Sequence, residues 1–382
     1  MKKMIAVVVL ALIAASFLFC SPVYVIRAGV QEAKILSRRR EIEAVVQDSA
    51  TPAWVRHKLD VVQQARTYAQ KALGLNVGES YTTYARVDHD TLLMVVSGAR
   101  KDAFIPYTWW FPIVGRVPYK GYFDFDAAWA EGRKLEEKGY DSYVRPSGAF
   151  STLGWFNDPV LSTILRYSDV SLANTVIHEL THNTIYLAGQ AAFNESFANF
   201  VGGRGAAQYF CQLEGPDGQH CKLARDDWAD NLVFGAFLED LVARLEKLYA
   251  RTDLTSDQKI VERQMVFQAA RDRFEDDVIP RLRTRSFRYF LDRPLNNATL
   301  IGTRLYYRHL NQFEDVYQRY GTLRPAIEAI IAMAKRHKDD PFKGLASLAL
   351  ASEGAEKAGG AGTAPRGGCI GRSVGRVRFS LV

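Results

Sequence analysis

The chain has 382 residues, of which 48% are hydrophobic and 24% are charged. These proportions are typical of a globular protein and exclude a chain that is disordered throughout. The net charge of +7 includes an arginine-rich stretch at residues 281–308, but aromatic side chains and Asp292 interrupt it, which indicates a solvated helix face. We therefore expect no nucleic-acid partner.

The first 26 residues have the composition of a signal sequence or membrane anchor. Lys2 and Lys3 precede residues 4–26, which contain no charged side chain. A segment of this length can span a hydrocarbon core of about 30 Å. Cys20 is a candidate lipidation site, but Phe19 stands where a lipoprotein signal has a small residue. The sequence thus favours an uncleaved anchor and a membrane-associated protein.

The region after the anchor predicts a mixture of helices and short strands. Residues 28–74 have helical spacing, with a break near Pro52. Residues 80–87 and 91–99 are strand-like, and the short connection between them predicts a β-hairpin. Residues 107–125 contain too much proline and glycine for a helix.

The remaining pattern is increasingly helical. Residues 126–139 predict a short amphipathic helix with a terminal glycine, and residues 149–156 predict another strand. From Leu161 onward most segments have helical periodicity, and the longest are at residues 228–249 and at 256–290, where Pro280 interrupts the pattern.

The predicted fold class is α+β and mostly α-helical, with a small antiparallel sheet. We expect one domain over residues 27–351, after the anchor at residues 1–26. Residues 352–382 are rich in glycine and have no helical or strand period, so we expect a disordered tail.

Cys211 and Cys221 flank a loop that is rich in turn-forming residues. A local disulfide between them is geometrically easy, and two reduced thiols are the alternative. A disulfide would require an oxidising compartment. Together with the anchor, this pair favours an exported domain.

The strongest chemical signal is the sequence His-Glu-Leu-Thr-His, which begins at His178. In a helix, positions i and i+4 lie on one face, so His178 and His182 can share one metal ion. Ser171 is a candidate N-cap of this helix, and Gly189 is a candidate stop. Glu179 would face the same cavity, where a carboxylate can deprotonate a metal-bound water.

A second short helix is predicted at residues 194–201, stopped by Gly202 and Gly203. The intervening turn can fold Glu195 back over the two histidines. Two histidines and one glutamate leave one tetrahedral position open, which is the ligand set of a catalytic Zn²⁺. Asn199, one turn after Glu195, is a candidate to hydrogen-bond a ligand histidine, and a helix-capping role is the alternative.

The motifs HELTH and NESFA together resemble those of the glutamate-zinc metallopeptidases, whose third ligand lies in an Asn-Glu-x-x-Ala-like helix. More specifically, the chain resembles a bacterial family of predicted zinc-dependent aminopeptidases, which are often predicted lipoproteins. The resemblance extends from residue 24 to about residue 335 and includes residues 109–124, 151–162 and 294–300. It implies a zincin-like metallopeptidase whose small sheet lies next to the HELTH helix.

Hydrolysis of a peptide also requires a hydrogen-bond donor for the oxyanion. Tyr306 and Tyr307 are the candidates, with His309 behind them, and packing in an aromatic core is the alternative for either tyrosine.

Residues 151–156 are a candidate edge strand for a peptide substrate, and Gly154 would let its backbone approach closely. Asp158 is the first candidate to bind the substrate amine, with Asp124 or Asp126 behind it. A helix-start turn is the alternative role for Asp158.

These observations predict a membrane-associated zinc metallopeptidase that acts on peptides as an aminopeptidase, with Glu179 activating the water. We expect it in the bacterial cell envelope, with the catalytic domain in the periplasm. The alternative is a metal-binding envelope protein that acts by binding a partner. The presence of Glu179 favours the enzyme, since a mere metal binder needs no base at that position.

Overall fold

The computed structural model describes residues 34–88, 91–111, 115–147, 157–284 and 287–350. The predicted anchor, the predicted strand at residues 149–156 and the predicted tail lie outside these ranges, as do Cys20 and Gly154. The described residues up to Ala349 belong to one compact unit. Among them, no helix combines the length and the hydropathy that crossing a membrane requires.

Most of the described chain is helical, as predicted. The helices are α1 (Ile42–Gln47), α2 (Ala53–Lys71), α3 (Phe125–Glu137), α4 (Asp169–Thr184), α5 (Ala191–Glu214), α6 (Gln219–Tyr249), α7 (Ser256–Arg273), α8 (Tyr289–Asp292), α9 (Asn297–Tyr307), α10 (Leu310–Tyr320), α11 (Leu323–Arg336) and α12 (Pro341–Leu350). The predicted breaks near Pro52 and Pro280 are present: α2 begins directly after Pro52, and α7 gives way to π and 3₁₀ turns around Pro280.

The strands are short. They are β1 (Arg40–Glu41), β2 (Thr83–Ala85), β3 (Leu93–Arg100), β4 (Trp109–Phe111), β5 (Gly115–Val117), β6 (Tyr119–Tyr122), β7 (Tyr140–Ser147) and β8 (Val160–Leu161). The order β6-β3-β7 forms an antiparallel sheet, with Ser97 opposite both Tyr119 and Tyr143. β4 and β5 pair antiparallel, and the order β1-β2-β8 forms a mixed sheet in which β2 and β8 are parallel.

The predicted hairpin between residues 80–87 and 91–99 is wrong. Both segments contain a strand, but β2 pairs with β1 and β8, whereas β3 pairs with β6 and β7. Almost every residue of β3 is buried, and its two edges are already occupied. A strand buried on both faces belongs in the middle of its sheet, so β2 has no free edge of β3 to pair with.

The predicted stop of the second metal-site helix at Gly202 and Gly203 is also wrong, because α5 continues to Glu214. These glycines instead allow close packing. A methyl group on Gly202 would lie 2.9 Å from the carbonyl oxygen of Asn174 in α4, and one on Gly203 would lie 2.5 Å from the indole ring of Trp228 in α6. The small residues therefore let α4 and α6 approach the backbone of α5.

Gly202→Ala should destabilise the protein because the added methyl meets backbone atoms of α4. Overpacking costs about 1–3 kcal/mol, and the better helix propensity of alanine returns about 1 kcal/mol. We expect a net loss of up to about 2 kcal/mol, measured by denaturant unfolding, together with weaker metal binding. Gly302→Ala in α9 is the matched control, since its methyl would meet no atom closer than 3.4 Å. An equal effect of both substitutions would contradict the close-packing interpretation.

Candidate metal centre

The helix α4 presents the two histidines on one side and a buried apolar face on the other. Leu172, Val176 and Leu180 are completely buried, which explains why a segment with several β-branched residues forms a stable helix. The helix is confirmed, but its N-cap is Ser168, not Ser171. The Ser168 hydroxyl accepts the backbone N–H of Ser171 at 3.1 Å.

The turn between α4 and α5 is held by one buried asparagine. Asn194 accepts the backbone N–H of Leu187 at 3.0 Å and donates to its carbonyl oxygen at 2.8 Å. Gly189 lies within this turn with a φ of 79°, whereas α4 itself already ends at Thr184. The turn reverses the chain, and it thereby places Glu195 opposite the histidines.

Three donor atoms converge at this point. The Nε2 atoms of His178 and His182 are 3.3 Å apart. Oε2 of Glu195 lies 3.3 Å from Nε2 of His178 and 3.6 Å from Nε2 of His182. For a tetrahedral ion with bonds of about 2.0–2.1 Å, neighbouring ligand atoms lie about 3.3 Å apart. The spacing therefore fits one ion, and these three residues could bind a metal.

The electrostatics of the three ligands also favour a cation. Burial alone would raise the pKa of Glu195, but the imidazoles of His182 and His178 outweigh it and hold that pKa below the usual range. Glu195 is therefore an anion at neutral pH. A half-buried carboxylate between two imidazole nitrogens provides the negative charge that a divalent ion needs.

Glu179 is half-buried beside this group. Burial raises the pKa of its carboxyl group, and the negative charges of Glu195 and Asp158 add to this shift against the opposing effect of the histidines. A carboxylate with a raised pKa is a better proton acceptor than one in water. The position of Glu179 thus suits a general base.

Asp158 lies at the Glu179 side of the centre and is 5% exposed. Its carbonyl oxygen accepts the backbone N–H of Tyr81 at 2.8 Å. Tyr81 is buried and has a φ of 62°, which is unusual for a large side chain. Sequence reasoning missed Tyr81, because no local pattern indicates the left-handed conformation.

Asp124 and Asp126, the two further candidates for binding the substrate amine, lie at the start of α3. The carboxylate of Asp124 accepts the backbone N–H of Ala127 and caps α3. Asp126 is exposed in the first turn of the same helix. Of the three predicted acids, the structure therefore brings only Asp158 to the side of Glu179.

Tyr306, at the end of α9, stacks on His178 with ring centroids 6.1 Å apart. Its hydroxyl accepts a hydrogen bond from Arg145 of β7 at 3.4 Å. Burial, assisted by the charge of Glu195, raises the pKa of Tyr306 to about 12. The hydroxyl therefore stays protonated at neutral pH and can donate a hydrogen bond.

The neighbours of Tyr306 in the sequence lie elsewhere. The ring of Tyr307 packs edge-on against Phe234, 5.1 Å away, within an aromatic core. His309 pairs with Glu239 at 3.1 Å. Of the two tyrosines predicted from the sequence as oxyanion donors, only Tyr306 is thus part of the site.

The role predicted for Asn199 needs correction. Its side chain donates to the carbonyl oxygen of Tyr306 at 2.7 Å and to the side chain of Asn231, not to a ligand histidine. Nδ1 of His182 has no hydrogen-bond partner among the described residues. Since α5 continues beyond Asn199, a capping role does not apply either.

Ser196 makes a second connection from α5 to α9. Its hydroxyl donates to the carbonyl oxygen of Leu305 at 2.8 Å and accepts the backbone N–H of Arg308 at 3.0 Å. Together with Asn199, it holds the end of α9 against α5 and thereby fixes Tyr306 beside His178. Neither contact could be read from the sequence, because more than 100 residues separate the partners.

Cys211 and Cys221 form a disulfide in the structure. The bond joins the last turn of α5 to the first turn of α6. It therefore closes the connection between the helix that carries Glu195 and the next helix of the core.

The model of the family described as "Putative aminopeptidase" matches residues 23–343, which include every residue of this centre. The chain belongs to this family. No curated protein and no solved structure matches it. For this aminopeptidase family member, the assignment supports a peptidase in general, and the three converging donors are in line with a metal-dependent one.

Proposed function

We propose that the protein is a zinc-dependent metallopeptidase of zincin-like architecture that acts as an aminopeptidase. The observation that carries the proposal is the convergence of Nε2 of His178, Nε2 of His182 and Oε2 of Glu195 within 3.6 Å of one another. Two imidazoles and one carboxylate are a ligand set of catalytic zinc, which keeps its fourth position open.

Zinc bound there would polarise the scissile carbonyl group and lower the pKa of a water to about 7. Glu179 takes up the proton of the attacking water and returns it to the leaving amine. Its raised pKa suits both steps, because the group must accept and then release a proton at the same pH.

Tyr306 donates its hydroxyl to the oxyanion that develops on the carbonyl oxygen. Its stacking on His178 holds the ring at the centre, and its high pKa keeps the proton available. Asp158 binds the free amine of the substrate. The support for this role is its buried position beside Glu179.

We further propose that residues 1–26 anchor the protein in a membrane of the bacterial cell envelope, with the catalytic domain in the periplasm. The uncharged segment at residues 4–26 supports the anchor. The Cys211–Cys221 disulfide supports an oxidising compartment, because such bonds persist outside the cytosol.

The proposal is tested with the full-length protein in detergent and peptides whose amino termini are free or acetylated. We expect hydrolysis of free peptides only, complete loss after chelation, and recovery when about one zinc per chain is restored, with zinc measured by atomic absorption. Equal cleavage of acetylated peptides would make the enzyme an endopeptidase. Zinc-loaded protein that cleaves no peptide would favour the alternative, a metal-binding envelope protein that acts by binding a partner.

A further inference from the structure

Arg145, on β7, lies beside the metal centre without a carboxylate partner. Among the described residues, its one hydrogen bond goes to the hydroxyl of Tyr306 at 3.4 Å, and it forms no ion pair. Its guanidinium carbon lies 5.8 Å from the centroid of the same ring. A guanidinium has five N–H donors, so most of them remain available.

Two other arginines among the described residues, Arg263 and Arg204, are paired with carboxylates. Arg263 is 6% exposed and binds Asp141 with two hydrogen bonds of 2.6 and 3.0 Å. Arg204 is paired with Glu314. A half-buried cation that forms no direct ion pair has lost part of its hydration without such a pair in exchange. Arg145 is therefore suited to receive an anion from outside the chain.

Electrostatic and hydrogen-bond contacts connect Arg145 to the candidate metal ligands. Its charge interacts with that of Glu195, its guanidinium donates to the Tyr306 hydroxyl, and Tyr119 lies close to both Arg145 and Glu195. Arg293 adds a second positive charge, because it donates to the hydroxyl of Tyr143, another neighbour of Arg145. Two arginine side chains thus lie at this end of the centre, whereas the carboxyl group of Asp158 lies near Glu179.

We infer that Arg145 binds a carboxylate of the substrate, which makes short peptides the preferred substrate class. Tyr306 contacts both Arg145, through its hydroxyl, and His178, through its ring. An extended peptide advances about 3.3–3.6 Å per residue, so a carboxylate one or two residues beyond the scissile bond reaches the guanidinium. The pairing of arginine with a carboxylate is strong and geometrically specific because it is bidentate. The inference rests on the proposed peptidase function.

The carboxylate can be the C-terminus of a di- or tripeptide or an acidic side chain at that position. The test compares kcat/KM for Ala-Ala with Ala-Ala-amide, and for Ala-Glu-amide with Ala-Gln-amide, using the zinc-loaded full chain. We expect a preference of about 10- to 100-fold for at least one carboxylate over its neutral counterpart, the range of a charge-assisted pair. The substrate pair that shows the preference identifies whether the bound carboxylate is the C-terminus or an acidic side chain.

In Arg145→Gln the ratio of kcat/KM for the carboxylate substrate to kcat/KM for its neutral counterpart should fall to about one. Arg145→Lys should restore part of the preference. The matched control is Arg244→Gln, since Arg244 is exposed on α6 and pairs with Asp240. A ratio that stays at the wild-type value in Arg145→Gln, while both rates fall equally, would show that Arg145 only positions Tyr306. No preference in the wild-type protein would also overturn the inference.

Calorimetry separates this inference from the proposed function. Binding of Ala-Ala and Ala-Ala-amide, and of the Glu and Gln amides, is measured in zinc-loaded Glu179→Gln, with and without Arg145→Gln. A preference for the carboxylate that disappears with Arg145→Gln supports the subsite even if no peptide is hydrolysed. Equal binding of acids and their neutral counterparts when Arg145 is present counts against it, whatever the hydrolysis assays show.

Discussion

Glu179→Gln should lower kcat/KM for peptide hydrolysis by about 10²–10⁴-fold, the contribution typical of a general base. Glutamine has nearly the same shape as glutamate but cannot accept a proton from water. The metal content should stay near one zinc per chain, because Glu179 is not among the three converging ligands. Hydrolysis by the purified variant is measured alongside its zinc content.

Measuring both hydrolysis and zinc content distinguishes loss of the general base from loss of the metal. Glu328→Gln, on the exposed face of α11, is the control for the same chemical change at a surface ion pair. Loss of zinc from Glu179→Gln would mean that the substitution disturbs the ligands instead of the proton transfer. Turnover at the wild-type rate would exclude Glu179 as the base.

Glu195→Gln should weaken zinc binding by more than 100-fold and remove hydrolysis with it. Even loss of a residue that only hydrogen-bonds to a metal ligand lowers metal affinity by about 10- to 100-fold. Loss of a ligand itself should lower the affinity further. The amide also leaves the cation with one negative charge less. Competition with a chromogenic chelator measures the affinity directly.

The same helix offers a matched control for this substitution. Glu214 lies at the end of α5 and contacts Nδ1 of His220 at 2.5 Å, but among the described residues no third metal-ligating side chain joins the pair. Glu214→Gln should therefore leave zinc affinity unchanged. Comparable losses in both variants would indicate that the negative charge of α5, and not coordination by Glu195, governs metal binding.

The convergence of the three candidate metal ligands could be predicted because their arrangement is local. The i, i+4 spacing places His178 and His182 on one face of any helix, and one short turn suffices to bring Glu195 opposite them. The wrong prediction for the end of α5 also came from the local sequence alone. The sequence of α5 suggests a stop at Gly202 because glycine often ends helices, and only the neighbouring helix shows that the missing side chain serves packing.

The rest of the site depends on tertiary structure. Arg145 and Tyr306 meet through the packing of a strand against α9, and their positions are 161 residues apart. No periodicity connects such residues. The predicted hairpin failed for a related reason, since the pairing of β3 is decided by partners that arrive later in the chain, at β6 and β7.

His178, His182 and Glu195 are close together in the sequence, whereas Tyr306 is far from them, and this difference affects how the centre assembles. All three candidate metal ligands lie within residues 178–195, so closing this loop costs little chain entropy. Glu179, the proposed base, lies in the same segment. Tyr306 instead reaches the centre through Ser196 and Asn199, over contacts that span more than 100 residues. If the proposed function holds, ion binding needs one helical hairpin to form, whereas stabilisation of the oxyanion by Tyr306 also needs the distant contacts that place α9.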